Sequence, residues 1–221
     1  MKYRKSIGML NILLIFMSCD LASFYEDFEG SEPEKTTVSE ESSLFTTDNE
    51  TEVYTFETND RKYLSEKGYT LWNILDSNAG EDFMPLSLTV CKESGRSEAG
   101  FGTVFCVQEI AGKSFMLAIL INVNGFYTVG KITEGNFSHI TGWENSNHIN
   151  KGFGIKNLIS VSYDSESKDF MLRINGYTVT TFAVSEDIVF KDSKTGYVVV
   201  IANNEAFPNN PVKVTFEKSR Q

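Results

Sequence analysis

The sequence has 221 residues, of which 41% are hydrophobic and 13% aromatic, so it can fill the core of one domain. Its formal net charge is −10 and no stripe of basic residues runs through it, which argues against a nucleic-acid partner. The charge is uneven: residues 20–52 hold eleven acidic side chains and one basic one, a net charge of −10. That leaves −3 for residues 53–221 once the +3 of the first 19 residues is counted.

Residues 1–18 follow the pattern of a secretory signal peptide. Lys2, Arg4 and Lys5 form a positive start, and the apolar run Ile7 to Phe16 follows. A membrane-spanning helix needs about 20 apolar residues, and this run has roughly half that number. The short run and the basic flank predict a leader that is removed during export.

The run ends in Phe16-Met17-Ser18-Cys19, which resembles the relaxed lipobox of spirochaete-like bacterial lipoproteins. Ser18 matches the small position before the cysteine, whereas Phe16 and Met17 depart from the usual residues. The resemblance implies lipidation of the Cys19 thiol, cleavage before it and acylation of the new amino group, and several fatty-acyl (palmitate-like) chains anchor durably. The membrane is then a partner, and the location is the bacterial cell envelope, at the outer membrane or the periplasmic face. An ordinary signal peptide followed by an incidental cysteine is the alternative.

Residues 19–52 are predicted to be a flexible, acidic tether. They are rich in Ser, Thr and Glu, as in Ser39-Glu40-Glu41-Ser42-Ser43, and cannot bury enough apolar surface to become ordered. Repulsion between the acidic side chains favours an extended spacer.

From Val53 onward the apolar residues alternate with polar ones, and turn residues separate the segments, which predicts β-strands. Asn175-Gly176 between two such segments indicates a tight hairpin. The predicted strands are 53–56, 69–75, 86–91, 102–108, 115–122, 125–131, 158–164, 169–174, 178–183, 196–202 and 212–217. Segments 86–91 and 102–108 are interpreted as a hairpin across a polar loop. The sequence therefore predicts one all-β domain over residues 53–221, an antiparallel two-sheet sandwich.

The order of several segments resembles the concanavalin A-like jelly roll of the laminin-G-like lectin and glucanase kind. These segments are Gly100 to Phe105, Phe126 to Lys131, Gly142 to Ser146, Asn157 to Val161, Phe170 to Val179, Gly196 to Val200 and Val212 to Phe216. The resemblance implies a jelly-roll sandwich, a fold that carries lectins, hydrolases and inert spacers alike.

The sequence lacks the usual signatures of catalysis. The related glucanases carry two carboxylates in a Glu-x-Asp-x-(x)-Glu strand, and this sequence has no such run. Glu81 and Asp82 are adjacent and would face opposite sides of a strand. Two histidines, His139 and His148, are too few for a zinc site, and no Gly-x-Ser-x-Gly nucleophile elbow occurs. We therefore expect no enzyme activity, no metal and no cofactor.

Two cysteines remain after Cys19. Cys91 and Cys106 fall on the predicted hairpin, where they could face each other and form a disulfide worth about 3 kcal/mol. Two buried free thiols are the equal alternative.

Aromatic rings and amide side chains together can bind sugars. Trp143 with Asn145 and Asn147 forms one candidate ligand site, and Asn203 with Asn204 forms a second polar loop. The alternative is that Trp143 packs its loop against the sandwich while the asparagines form turns.

Three functions are consistent with these features. The first is a membrane-anchored, non-enzymatic binding module for a glycan or an extracellular protein. The second is a structural or accessory envelope lipoprotein without a small ligand, and the third is a carbohydrate-active hydrolase with an atypical site.

Overall fold

The structure is a computed structural model, and it describes residues 45–48, 53–58, 69–77, 80, 82–201 and 211–218. The chain divides into two compact units, Met1–Glu32 and Pro33–Gln221, and all the described residues belong to the second. The predicted signal peptide, Cys19 and residues 20–44 of the predicted tether lie outside the described residues. Within the described part, no helix is long and apolar enough to cross a membrane.

The described part consists of β-strands joined by turns and loops. The strands are β1 (Phe45–Asp48), β2 (Val53–Thr58), β3 (Tyr69–Ser77), β4 (Leu86–Ser94), β5 (Phe101–Ile110), β6 (Lys113–Ile121), β7 (Phe126–Thr133), β8 (Asn136–His139), β9 (Glu144–Asn145), β10 (Asn157–Asp164), β11 (Asp169–Ile174), β12 (Tyr177–Phe182), β13 (Lys194–Ile201) and β14 (Val212–Lys218). Each of the eleven predicted strands is present. β8 and β9 were not predicted, and β1 lies within the residues assigned to the tether, so the sheet extends N-terminal to Val53.

The strands form two antiparallel sheets of seven strands each. The first sheet has the order β1-β2-β14-β4-β10-β11-β12, and the second has the order β3-β13-β5-β6-β7-β8, with β9 also paired to β7. This arrangement confirms the predicted two-sheet antiparallel jelly-roll sandwich. The hairpin predicted at Asn175-Gly176 is also confirmed: both residues have positive φ, 52° and 86°, and they join β11 to β12.

The predicted hairpin between β4 and β5 is wrong. β4 pairs with β10 and β14 in the first sheet, whereas β5 pairs with β6 and β13 in the second. Every side chain from Phe101 to Cys106 is buried, so β5 needs cover on both faces. In the second sheet, Phe101 and Phe105 pack in one apolar cluster and Val104 packs in another, so both faces of β5 are covered.

The main core lies between the two sheets. Alternate residues point inward in the strands whose side chains are described, and aromatic side chains fill much of the space, including Phe56, Phe101, Phe105, Phe170 and Phe216. A second apolar cluster covers the outer face of the second sheet; its buried members are Val104, Met116, Ala118, Leu120, Ile132, Val198 and Val200. The second sheet is therefore apolar on both faces.

Four connections meet at one end of the sandwich, which we call the loop end: residues 95–100, 122–125, 146–156 and the turn 175–176. Hydrogen bonds join them, from Ser146 N to Gly125 O at 2.9 Å and from Asn122 Nδ2 to Glu98 O at 3.3 Å. The bond from Asn175 Nδ2 to His148 O, at 2.7 Å, adds the turn to this group. The loop end is thus a connected surface rather than a set of separate loops.

Candidate functional site

Trp143 lies against the outer face of the second sheet. Its ring is half-buried and packs on the outer apolar cluster, crossing Gly100 beside Leu120. A Cβ at Gly100 would come within 3.0 Å of the Trp143 ring, so the glycine leaves the space that the indole occupies. Phe137 packs over Gly130 in the same way. Trp143 therefore attaches its loop to the sheet.

The predicted partners of Trp143 are exposed. Asn145 belongs to β9 and is paired with Phe126, while Asn147 lies in the loop that follows. Between Trp143 and Asn145, Glu144 accepts a hydrogen bond of 2.6 Å from the hydroxyl of Tyr127. Asn203 and Asn204 lie outside the described residues.

Tyr127 joins the two sheets by a hydrogen bond. Its buried hydroxyl donates to Glu144 and lies 3.1 Å from the carbonyl of Val179, a residue of β12 in the opposite sheet. Burial, followed by the hydrogen bond and the charge of Glu144, raises the pKa of Tyr127 to about 12. Tyr127 therefore stays protonated at neutral pH and works as a hydrogen-bond donor that closes this side of the sandwich.

Three asparagines hold loop 146–156 in place, and we call them the amide clamp: Asn150, Asn157 and Asn175. The Asn157 side chain accepts from Asn150 N at 2.8 Å and donates to Asn150 O at 3.0 Å. Asn175 donates to Asn157 Oδ1 at 2.8 Å and to His148 O at 2.7 Å, and it accepts from Leu158 N at 2.8 Å. Because Asn157 is buried, these bonds also satisfy polar atoms that water cannot reach.

The clamp holds an exposed aromatic pair. The rings of His148 and Tyr177 stack with centroids 4.3 Å apart and an angle of 12° between their planes. Tyr177 is 59% exposed although it is a large aromatic residue, and Asn147 and Asn150 are exposed on the same loop. A sugar ring could stack on an aromatic face while neighbouring amides bind its hydroxyl groups.

The loop that carries His148 is anchored to the core. Ile149 is buried in the main core, and the Ser146 hydroxyl accepts a hydrogen bond from His148 N at 3.2 Å. Together with the amide clamp, these contacts fix the backbone on both sides of His148. The stack is thus presented by a rigid element, which lowers the entropy lost when a ligand binds.

Sequence reasoning identified this loop but missed its main residue. Asn145 and Asn147 mark the region, whereas from the sequence His148 is considered only as a metal ligand. Tyr177 lies 29 positions further along the chain, directly after the Asn175-Gly176 turn. The signal that could have identified it is a large aromatic residue directly after a tight turn, because such a residue lies at the end of a strand.

The two remaining cysteines are buried free thiols in opposite sheets, Cys91 in β4 and Cys106 in β5. The predicted disulfide depended on pairing these two strands, and they do not pair. Burial raises the pKa of both thiols, that of Cys106 to about 12. Neither side chain therefore supplies a thiolate nucleophile at neutral pH.

A small cavity opens between the sheets at the end opposite the loop end. It measures about 100 Å³, and its lining includes Phe83, Leu88, Cys106 and Tyr197. Sites for small molecules usually measure about 300–1,000 Å³, so this cavity is too small to enclose a sugar. Among the residues that the structure describes, no three His, Cys, Asp or Glu side chains gather as metal ligands would.

No protein-family model matches the sequence, and no curated protein matches it. Among solved structures, the carbohydrate-binding module CBM66 from Bacillus subtilis is similar at 11% identity with a TM-score of 0.50, over 79% of this chain and 88% of that one. The metal-free carbohydrate recognition domain of Emp46p has 11% identity and a TM-score of 0.41, over 86% of this chain and 94% of that one. A family 16 endo-glucanase from Bacteroides ovatus has 9% identity and a TM-score of 0.45, over 78% and 81%. At such identities the first likeness shows the lectin-like sandwich fold alone, and the other two carry no argument about function.

Proposed function

We propose that the protein is a membrane-anchored, non-enzymatic binding module that recognises a glycan at the Tyr177–His148 stack. The observation that carries the proposal is the exposure of Tyr177. Its side chain is 59% exposed, and the stacked ring of His148 holds it in place. An aromatic face held open to water beside exposed amide groups is a surface on which a sugar ring can stack while the amides bind its hydroxyl groups.

The geometry suits a sugar ring. One face of Tyr177 stacks on His148, which leaves the other side of the ring for a ligand. Asn147 and Asn150 supply exposed amide groups on the same loop. Aromatic residues with few rotatable bonds and adaptable amides are the usual components of such binding surfaces.

Three observations support binding without catalysis. The sequence carries no paired-carboxylate strand, the described cavity is smaller than a substrate site, and the groups whose pKa shifts most lie in the interior. A hydrolase needs a general acid and a second carboxylate on either side of the bond it cleaves. The proposed anchor is the lipid on Cys19, supported by the sequence Phe16-Met17-Ser18-Cys19.

The test is a glycan array probed at high protein density with matched variants. We expect Tyr177→Ala to lower binding at least tenfold, because the stacking surface is lost, while Tyr177→Phe keeps most of it. Phe153→Ser serves as the control, since Phe153 is also an exposed aromatic residue at the loop end and should leave glycan binding unchanged.

Two results would count against the proposal. One is an array without any signal from the unsubstituted protein. The other is a signal that Tyr177→Ala leaves intact while the variant keeps its thermal stability.

One observation favours the second candidate, an accessory envelope protein without a small ligand. The outer face of the second sheet is packed with the protein's own side chains, including Trp143 and Phe137 over two glycines. Where its side chains are described, that face therefore offers no open groove for a glycan chain, and an array without signal would favour this candidate.

A further inference from the structure

The loop end also carries exposed aliphatic and aromatic side chains that glycan binding does not use. Phe153 and Ile155 are 44% and 43% exposed, and each follows a glycine in the segment Lys151-Gly152-Phe153-Gly154-Ile155-Lys156. We call residues 151–156 the apolar loop. Exposing two large apolar side chains to water within three positions costs free energy. Binding of this surface to a partner would remove that cost.

The backbone of the apolar loop is fixed so that these side chains stay outside. Gly152 N donates to Val123 O and Gly154 N donates to Lys92 O, each at 2.9 Å. Both glycines have positive φ, 109° and 72°, a conformation that other residues rarely adopt. The two glycines therefore attach the loop to both sheets, while Phe153 and Ile155 face away from the core.

The charged residues of the apolar loop itself are basic. Residues 145–157 contain Lys151 and Lys156 but no acidic residue, in a chain whose net charge is −10. Lys151 lies across Gly125, and Lys156 forms an exposed ion pair with Glu217 at 2.8 Å. Apolar side chains flanked by lysines suit the boundary between lipid headgroups and acyl chains of an anionic bilayer.

The chain enters the sandwich at the same end. The residues Phe45, Phe56, Val214 and Lys92 stand in register across β1, β2, β14 and β4, and Gly154 is hydrogen-bonded to the carbonyl of Lys92. Three strand spacings separate β1 from β4, about 14 Å. The first strand, β1, therefore starts level with the apolar loop.

The predicted tether is short enough to keep the loop near the membrane. About 25 residues separate Cys19 from Phe45. Because each residue can span at most about 3.4 Å, lipid on Cys19 would keep the start of β1 within about 85 Å of the bilayer, which raises the effective concentration of bilayer at the loop end.

We propose that the apolar loop docks on an anionic bilayer, with Phe153 and Ile155 inserted at the level of the headgroups and Lys151 and Lys156 above them. The docking surface uses other side chains than the Tyr177–His148 stack: Gly154 of the apolar loop is bonded to β4, whereas Tyr177 lies on β12, three strands further along the first sheet. Docking would hold that stack near the membrane surface, where envelope glycans lie.

The test uses the full chain reconstituted in vesicles of phosphatidylglycerol and phosphatidylcholine, with brominated acyl chains as quenchers of tryptophan fluorescence. We expect Phe153→Trp to show a blue-shifted emission that the lipid quenches at least twofold, after subtraction of the unsubstituted chain. Val189→Trp is the control, because Val189 is 61% exposed and lies beside Gln108 at the opposite end. Its fluorescence should not be quenched.

Further variants separate the parts of the proposal. Ile155→Ser should lower the quenching of Trp at position 153, and Lys151→Glu with Lys156→Glu should abolish it. Tyr177→Ala should leave it unchanged, so failure of docking and failure of glycan binding are distinguishable. Equal quenching at positions 153 and 189, no quenching at 153, or full quenching in pure phosphatidylcholine would each overturn the proposal.

Discussion

Lys92 is the least expected residue of the interior. Its side chain is fully buried, and its ammonium group donates one hydrogen bond, to the carbonyl of Ala99 at 2.9 Å, with the ring centroid of Phe101 5.8 Å away. Glu98, which forms an ion pair with Arg96, is the nearby acid. Burial lowers the pKa of Lys92 to about 7, and the charge of Glu98 offsets part of that change.

The buried amine makes stability depend on pH. In the unfolded chain Lys92 keeps its proton up to about pH 10.5, whereas in the folded chain it loses the proton near pH 7. Between these values the unfolded state holds more protons, so the free energy of unfolding rises with pH, by up to about 1.4 kcal/mol per unit. This stability is lost as pH falls from 10.5 toward 7, and no further loss occurs below 7.

We expect Lys92→Met to remove this slope and to be more stable than the unsubstituted protein at pH 7. Urea unfolding from pH 7 to about pH 8.5 measures the free energy of unfolding in both proteins. The range stays low because Cys106 and Tyr127 lower the slope at higher pH. Their pKa values are raised to about 12, so above pH 9 the unfolded state loses protons that the folded state keeps. A variant with the same slope as the unsubstituted protein would show that Lys92 stays charged.

At the scale of single elements, loop 146–156 depends on Asn157. The Asn157→Ala variant leaves Asn150 N and Asn150 O without their partners and takes one acceptor from Asn175. Because Asn157 is buried, we expect a loss of about 1–3 kcal/mol in the free energy of unfolding. We also expect faster hydrogen exchange at the amides of Gly152 and Gly154.

The matched control is Asn147→Ala, an exposed asparagine of the same loop, which should change stability by less than about 0.5 kcal/mol. If both variants exchanged at the same rate as the unsubstituted protein, the clamp would not be what holds the loop. Glycan binding should weaken in Asn157→Ala even though that side chain is buried, because the stack loses its support.

Strand positions could be predicted from the sequence because alternation is a local property. It places all eleven predicted strands, including β10, β11 and the turn between β11 and β12. Strand pairing is not local, and the interpretation of β4 and β5 as a hairpin was wrong because their apolar residues do not reveal which sheet covers them. The predicted β4 ended at Cys91, although the strand continues to Ser94. The next inward position is Lys92, and a lysine there interrupts the apolar alternation.

The candidate site could be predicted only in outline for the same reason. Asn145 and Asn147 lie close to the relevant loop, but the stack joins His148 to a residue 29 positions away, and the clamp joins Asn157 to Asn175. Such contacts depend on where β10 and β12 lie in the sheet. Trp143 drew attention because tryptophan is common in sugar sites, yet its ring fills the space above Gly100.

At the scale of the whole molecule, the sandwich presents two unlike ends. The loop end carries the amide clamp, the exposed stack and the apolar loop, and β1 starts there. The opposite end has the small cavity beside Cys106 and Tyr197. If Cys19 carries lipid, the chain that leads to the membrane joins the sandwich at the loop end. The proposed docking surface and the proposed glycan site lie at that same end.

Membrane attachment depends on the predicted lipidation of Cys19. We expect Cys19→Ala to abolish metabolic labelling with palmitate and to move the protein from the detergent phase to the aqueous phase on Triton X-114 partitioning. Loss of several acyl chains, each CH₂ worth about 0.8 kcal/mol, exceeds what two half-exposed side chains of the apolar loop can replace. Cys91→Ala is the control, because that buried thiol lies within the sandwich and should leave labelling unchanged.

The same variant connects the anchor to the apolar loop. Without the lipid, the effective concentration of bilayer at the loop end falls, so quenching of Trp at position 153 should fall several-fold in Cys19→Ala at equal vesicle concentration. It should return as vesicles are added, since the loop itself is intact. Palmitate labelling that persists in Cys19→Ala, or that disappears in Cys91→Ala, would contradict the assignment of the anchor to Cys19.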